Sequence, residues 1–128
     1  MKFRSLVAVP FVALSLVGCS SGSDGGSSGA TIPANATLIK AIEGIAWDAK
    51  TYTAKAVDGK VDIVLENDSS LPHNLHLLDP ENVDVGLALT VSGHGDLHND
   101  DFTLAPGTYQ VICTIAGHGN MKATLTVT

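Results

Sequence analysis

Three segments of the chain alternate apolar and polar residues with a period of two, and this limits the fold more than any other feature. In Lys60-Val61-Asp62-Ile63-Val64-Leu65-Glu66, the residues Val61, Ile63 and Leu65 fall on one face. In Gly107-Thr108-Tyr109-Gln110-Val111-Ile112-Cys113, the residues Tyr109, Val111 and Cys113 do so. Ala123-Thr124-Leu125-Thr126-Val127-Thr128 repeats the pattern with threonine outward. Successive side chains of a strand point to opposite faces, so each segment reads as a half-buried β-strand. Asp58-Gly59, Asn67-Asp68-Ser69-Ser70 and Pro106-Gly107 punctuate them as turns. No stretch beyond the N-terminal segment carries a helical period. Ala41 to Ala56 fits a short helix or an irregular strand. The expected fold is a small antiparallel β-sandwich over residues 32–128, all-β throughout.

The N-terminal segment follows other rules. MKFRSLVAVPFVALSLVGC opens with Lys2 and Arg4, then runs apolar from Leu6 to Val17, broken only by Pro10 and Ser15. That is the layout of a secretory signal, residues 1–18, too short to span a bilayer as a mature helix. Leu16-Val17-Gly18-Cys19 resembles the lipobox of bacterial lipoproteins. The resemblance implies cleavage before Cys19 and lipidation of its sulfur, with anchoring worth about 0.8 kcal/mol per buried methylene. A plain signal peptide with an incidental Cys19 is the blander alternative. Residues 19–31, rich in Gly and Ser, read as a flexible tether that would hold a domain loosely against an extracytoplasmic membrane face.

Removing residues 1–18 leaves five basic residues against thirteen acidic ones, a net charge of −8. Such a balance argues against nucleic acid and anionic lipid headgroups as partners. It suits either a basic partner face or simple solubility. The chain is expected to be a monomer.

Of the two cysteines, Cys113 has no partner once Cys19 is lipidated. A free thiol in an oxidising compartment is a hazard unless it is buried or bound. Cys113 lies in CTIAGHGNM, beside His118 and Met121. A thiolate, an imidazole and a thioether are soft or borderline donors and select copper over calcium or magnesium. Three donors on one loop do not complete a trigonal site with an axial ligand, so a second histidine must come from elsewhere. His73, in Leu71-Pro72-His73-Asn74-Leu75, follows a turn and leads into a strand whose Leu75 and Leu77 would point inward. His76, three residues on, would face the opposite side. Two histidines and a cysteine in a plane, with a long axial methionine, form a blue-copper electron-transfer site.

Pro72-His73-Asn74, Tyr109-x-Val111-x-Cys113-Thr114, Gly117-His118 and Met121-Lys122 together resemble the cupredoxins, the blue copper proteins. The resemblance covers most of residues 36–128. It implies a Greek-key sandwich or barrel holding one type 1 copper ion through His73, Cys113, His118 and, more weakly, Met121. It also implies that Asn74 ties the two ligand loops together through the backbone or hydroxyl of Thr114. Two features depart from the family pattern. The His-x2-Met spacing is short, and Met-Lys-Ala stands where Met-Lys-Gly is common.

A fixed trigonal frame suits both copper oxidation states and leaves no open position for substrate. The expected function is therefore a carrier of single electrons, not an enzyme. Redox partner proteins would dock near His118, at an apolar patch of Leu71, Pro72, Ile115 and Ala116. An alternative is copper buffering, delivery or resistance, with His76, His94 and His98 as accessory ligands. A third is a structural or adhesion domain without metal. Ser92 to Asp101, containing His94 and His98, is expected to be an exposed loop. Asp48, Asp62, Glu66, Asp79, Glu81 and Asp84 read as surface charge. Trp47, the single tryptophan, reads as a core anchor or a cover at one end of the sandwich.

Overall fold

The computed structural model describes residues 32–128. The expected signal segment 1–18, Cys19 and the linker 19–31 lie outside the described residues. Among the described residues there are nine strands: β1 (Thr37–Ile42), β2 (Ala46–Trp47), β3 (Thr51–Ala54), β4 (Lys60–Asp68), β5 (His73–Leu78), β6 (Asp84–Val91), β7 (Leu97–Thr103), β8 (Gly107–Ile112) and β9 (Lys122–Val127). The ambiguous stretch from Ala41 to Ala56 resolves into strands. Among the described residues none is helical.

Two sheets stack face to face, one ordered β2-β1-β4-β7 and the other β3-β9-β8-β5-β6. The alternation read from sequence fills the space between them. Val61, Ile63 and Leu65 of β4 and Ile39 and Ala41 of β1 meet Leu75, Leu77, Leu89, Val111 and Leu125 of the facing sheet. Each is at most 1 % exposed, and full burial of such a side chain contributes about 1.5–3 kcal/mol. Phe102 and Trp47 close the core, at 1 % and 3 % exposure.

The sheets are mixed, which corrects the antiparallel expectation. β1 runs parallel to β4, and β3 runs parallel to β9. The physical reason is a crossover. The short β2–β3 segment carries the chain from one sheet to the other, so β1 and β3 gain partners far along the sequence that no hairpin turn announces. The carboxylate of Asp48 fixes this corner. Its Oδ1 accepts the backbone N–H of Lys40 at 3.1 Å and the Tyr52 hydroxyl at 2.6 Å.

A second correction concerns Ser92 to Asp101. From Leu97 onward this stretch is strand β7, paired antiparallel with β4 from Lys60↔Thr103 to Glu66↔Leu97. It sits at the edge of its sheet, where charged side chains are favoured because they discourage further strand pairing. His98, Asn99, Asp100 and Asp101 therefore look like a loop in sequence while lying in a strand anchored inward by Phe102.

The pairing of β5 with β8 positions the functional end. Its register is His76↔Ile112, Leu77↔Val111 and Leu78↔Gln110. Continued past the end of β8, that register sets Asn74 opposite Thr114 and Leu75 opposite Cys113. The start of β5 thus lies beside the β8–β9 loop.

Candidate metal centre

Cys113 directly follows β8, continues its inward parity and is 6 % exposed. Two consecutive turns then fold the loop back. His118 N–H donates to the Ile115 carbonyl at 3.0 Å, and Met121 N–H donates to the His118 carbonyl at 2.9 Å. Gly117, inside the first turn, has φ +86°, a left-handed conformation that costs any residue with a Cβ. His118 and Met121 are consequently buried, at 6 % and 1 % exposure, before β9 begins at Lys122.

His73, the first residue of β5, is 1 % exposed. The ligand atoms of His73, Cys113 and His118 all lie within 4.8 Å of one another. Cys113 Sγ is 3.6 Å from His118 Nδ1. The two imidazole rings tilt at 44° with centroids 4.9 Å apart. The residues singled out forty positions apart in sequence therefore meet at one end of the sandwich. Burial first, and then the neighbouring His118, hold the His73 imidazole below its ordinary pKa, which favours its neutral, ligating form.

Three observations test the fit of a metal here. Buried polar atoms are normally paired, yet His73 Nδ1 has no hydrogen-bond partner. Cys113 is a free, buried thiol. The gathered donors are one sulfur and two imidazole nitrogens, a set that suits copper or zinc and not a hard cation. The residues present fit copper.

The loops that carry these donors are tied together. Asn74 Nδ2–H donates to Thr114 Oγ1 at 2.8 Å, and Thr114 N–H donates to Asn74 Oδ1 at 2.7 Å. Both partners named for Asn74 from sequence, hydroxyl and backbone, are used at once. Two further contacts escaped the sequence reading. Ser69 Oγ lies 2.7 Å from His73 Nε2, and Asn67 Oδ1 lies 2.9 Å from Ser69 Oγ. Asn67 is fully buried and Ser69 is 1 % exposed. The signal was available: the inward parity of Val61, Ile63 and Leu65, carried two steps further, reaches Asn67 and Ser69. From outside, the Glu43 carboxylate braces the same turn by accepting Ser70 N–H at 2.8 Å.

The remaining histidines stand apart. His76 pairs with Asp84, its Nδ1 2.6 Å from Oδ2. His94 is exposed and lies 3.4 Å from Asp68. His98 Nδ1 accepts the Thr90 backbone N–H at 2.8 Å, joining the edges of the two sheets. Among the described residues only His73, Cys113 and His118 form a group of three such donors. Leu71, Pro72 and Ala116 are exposed and Ile115 is half-buried.

No family model matches the chain, and no curated protein does. Solved structures do. Auracyanin A, a "blue" copper protein from the green thermophilic photosynthetic bacterium Chloroflexus aurantiacus, is 23% identical with a TM-score of 0.58, covering 71% of this chain and 96% of its own. An azurin from the obligate methylotroph Methylomonas sp. strain J is 14% identical with a TM-score of 0.60, covering 75% and 99%. An amicyanin variant in its oxidised state is 20% identical with a TM-score of 0.55, covering 77% and 88%. The likeness at these identities is one of architecture, and the architecture that the described residues share with all three is the cupredoxin fold.

Proposed function

We propose that this protein carries single electrons through one copper ion, which His73, Cys113 and His118 would hold, with Met121 as a weaker fourth ligand. The observation that carries the reading is the buried His–Cys–His group with His73 Nδ1 left without a partner. Bound copper would supply a one-electron couple. The chain's own residues do the rest. Cys113 offers a soft thiolate, and the two imidazoles complete a frame that must not rearrange when the charge changes. The Asn74–Thr114 pair and the two turns of the β8–β9 loop hold that frame rigid. Low reorganisation is what a carrier needs, because each adjustment of geometry adds to the barrier of transfer.

The exposed Leu71, Pro72 and Ala116 offer a small apolar contact beside His118. Short-lived redox encounters use small interfaces of this kind. Auracyanin A is described as a "blue" copper protein, which supports the same reading here. The lipobox-like Leu16-Val17-Gly18-Cys19 supports a tethered form of the carrier outside the cytoplasm. The scatter of His76, His94 and His98 to separate partners favours a carrier over a protein that stores several copper ions.

The test is the visible spectrum and voltammetry of the full chain loaded with Cu(II). An intense thiolate-to-copper absorption with a reversible one-electron wave is expected. Copper that is taken up without colour and lost to mild competitors would replace the carrier reading with one of copper handling.

A further inference from the structure

His73 has two ring nitrogens, and only Nδ1 lacks a partner among the buried groups around it. We infer that Ser69, itself held by Asn67, is the positioning residue that assigns the ring hydrogen to Nε2 and keeps the Nδ1 lone pair free for the metal. The inference rests on the copper reading for the identity of the metal, and on geometry alone for the tautomer.

Asn67 Nδ2–H donates to the Leu71 carbonyl at 2.8 Å, which orients the amide. Asn67 Oδ1 then faces Ser69, accepting its backbone N–H at 3.1 Å and lying 2.9 Å from its hydroxyl. Ser69 Oγ accepts the Leu71 backbone N–H at 3.2 Å and carries one hydrogen, which can go to His73 Nε2 at 2.7 Å, Asn67 Oδ1 at 2.9 Å or the Leu71 carbonyl at 3.2 Å. With that hydrogen spent on Asn67, the Ser69 oxygen can only accept from His73 Nε2, 2.7 Å away. In that arrangement Nε2 carries the hydrogen and every buried N–H and O–H of the relay has an acceptor. In the opposite arrangement Ser69 would donate to Nε2. Nδ1 would then hold a buried hydrogen with no acceptor, and the lone pair would be lost.

Asn67 is itself anchored. Its N–H donates to the Asp96 carbonyl at 2.9 Å, and its carbonyl accepts Gly95 N–H at 2.7 Å. The relay therefore runs from a backbone-fixed amide through a buried hydroxyl to the ring. An imidazole whose far N–H is accepted in this way is a fixed and more basic ligand, and removing such partners costs about 10- to 100-fold in metal affinity.

The experiment uses the full chain, labelled with 15N, and three variants. In the metal-free wild type, imidazole 15N shifts should show His73 as the Nε2–H tautomer. Ser69→Ala should mix the tautomers, weaken Cu(I) binding in chelator competition by about tenfold or more, and raise the reduction potential, because a less basic imidazole favours Cu(I). Ser69→Thr keeps the hydroxyl and should restore the tautomer and the affinity; the amide fingerprint of each variant reports that it is folded. An Nδ1–H tautomer in the wild type, or a folded Ser69→Ala with unchanged tautomer and affinity, overturns the proposal. Cys113→Ser separates the two readings. It should abolish the blue absorption while leaving the His73 tautomer as it is. Colour that survives in Cys113→Ser overturns the ligand set and not the relay.

Discussion

Asn74 and Thr114 stand 40 residues apart in sequence and are joined by two reciprocal hydrogen bonds, 2.8 and 2.7 Å long. They bind the strand that starts at His73 to the loop that starts at Cys113. Both bonds are partly open to solvent, so each is worth about 0.5–1.5 kcal/mol. Asn74→Ala is expected to lower the unfolding free energy by about 1–3 kcal/mol and to speed loss of bound copper. Urea unfolding of the metal-free chain and a chelator off-rate check the two effects separately. An unchanged off-rate would show that the pair braces the sandwich and not the cage.

Copper loading should stabilise the wild type strongly and Cys113→Ser hardly at all. A ligand at a hundredfold excess over its Kd adds about 2.7 kcal/mol, a rise of roughly 10 °C or more in Tm for a domain of this size. Calorimetry of both chains with and without Cu(II) checks this. An equal rise in both chains would mean that the metal sits elsewhere.

Met121→Leu conserves volume, so it should cost less than about 1.5 kcal/mol of stability although Met121 is 1 % exposed. The colour should persist, because the thiolate is untouched. The reduction potential should rise, since the lost thioether leaves copper in the lower coordination that Cu(I) prefers. Voltammetry decides: an unchanged potential would remove Met121 from the metal's surroundings.

Tyr52 should set the alkaline limit of stability. Burial first, and then the hydrogen bond it donates to Asp48, hold its phenol far above the ordinary tyrosine range. A folded pKa above the unfolded one means a contribution fully present below pH of about 10 and lost progressively as pH rises beyond it. The wild type should therefore lose stability above that pH. Tyr52→Phe should start lower, lacking the bonds to Asp48 and Ala49, and fall less steeply. Urea midpoints measured from pH 8 upward should converge. Parallel curves would assign the alkaline loss to another group.

What could be read from sequence was what is local or alternates cleanly. Cys113, His118 and Met121 share one loop, so spacing alone brought them together. His73 was legible because a turn and a proline place it at the mouth of a strand whose inward residues are plain. The parallel partners of β1 and β3 were not legible, because no turn joins strands so distant in sequence. β7 was hidden by Asn99 and Asp100, exposed on both faces, which an edge strand tolerates and a loop also shows. Ser69 and Asn67 read as turn formers because Asn67-Asp68-Ser69-Ser70 has the composition of a turn, and that composition masks the inward parity of β4 that runs on into both; the backbone bonds that tie Asn67 to Gly95 and Asp96 come from a distant loop.

The parallel pairing of β3 with β9 has a consequence for how the protein is made. Among the described residues β9 is the last strand, β3 has it as its single neighbour in the sheet, and the loop ending at Met121 leads directly into it. Pairings of such long sequence separation form late and slowly. A polypeptide in which β9 has not yet docked therefore lacks the strand that carries this loop back, and the proposed cage waits for that docking. Whichever ions surround the protein where β9 docks are the ones the proposed cage would sample first.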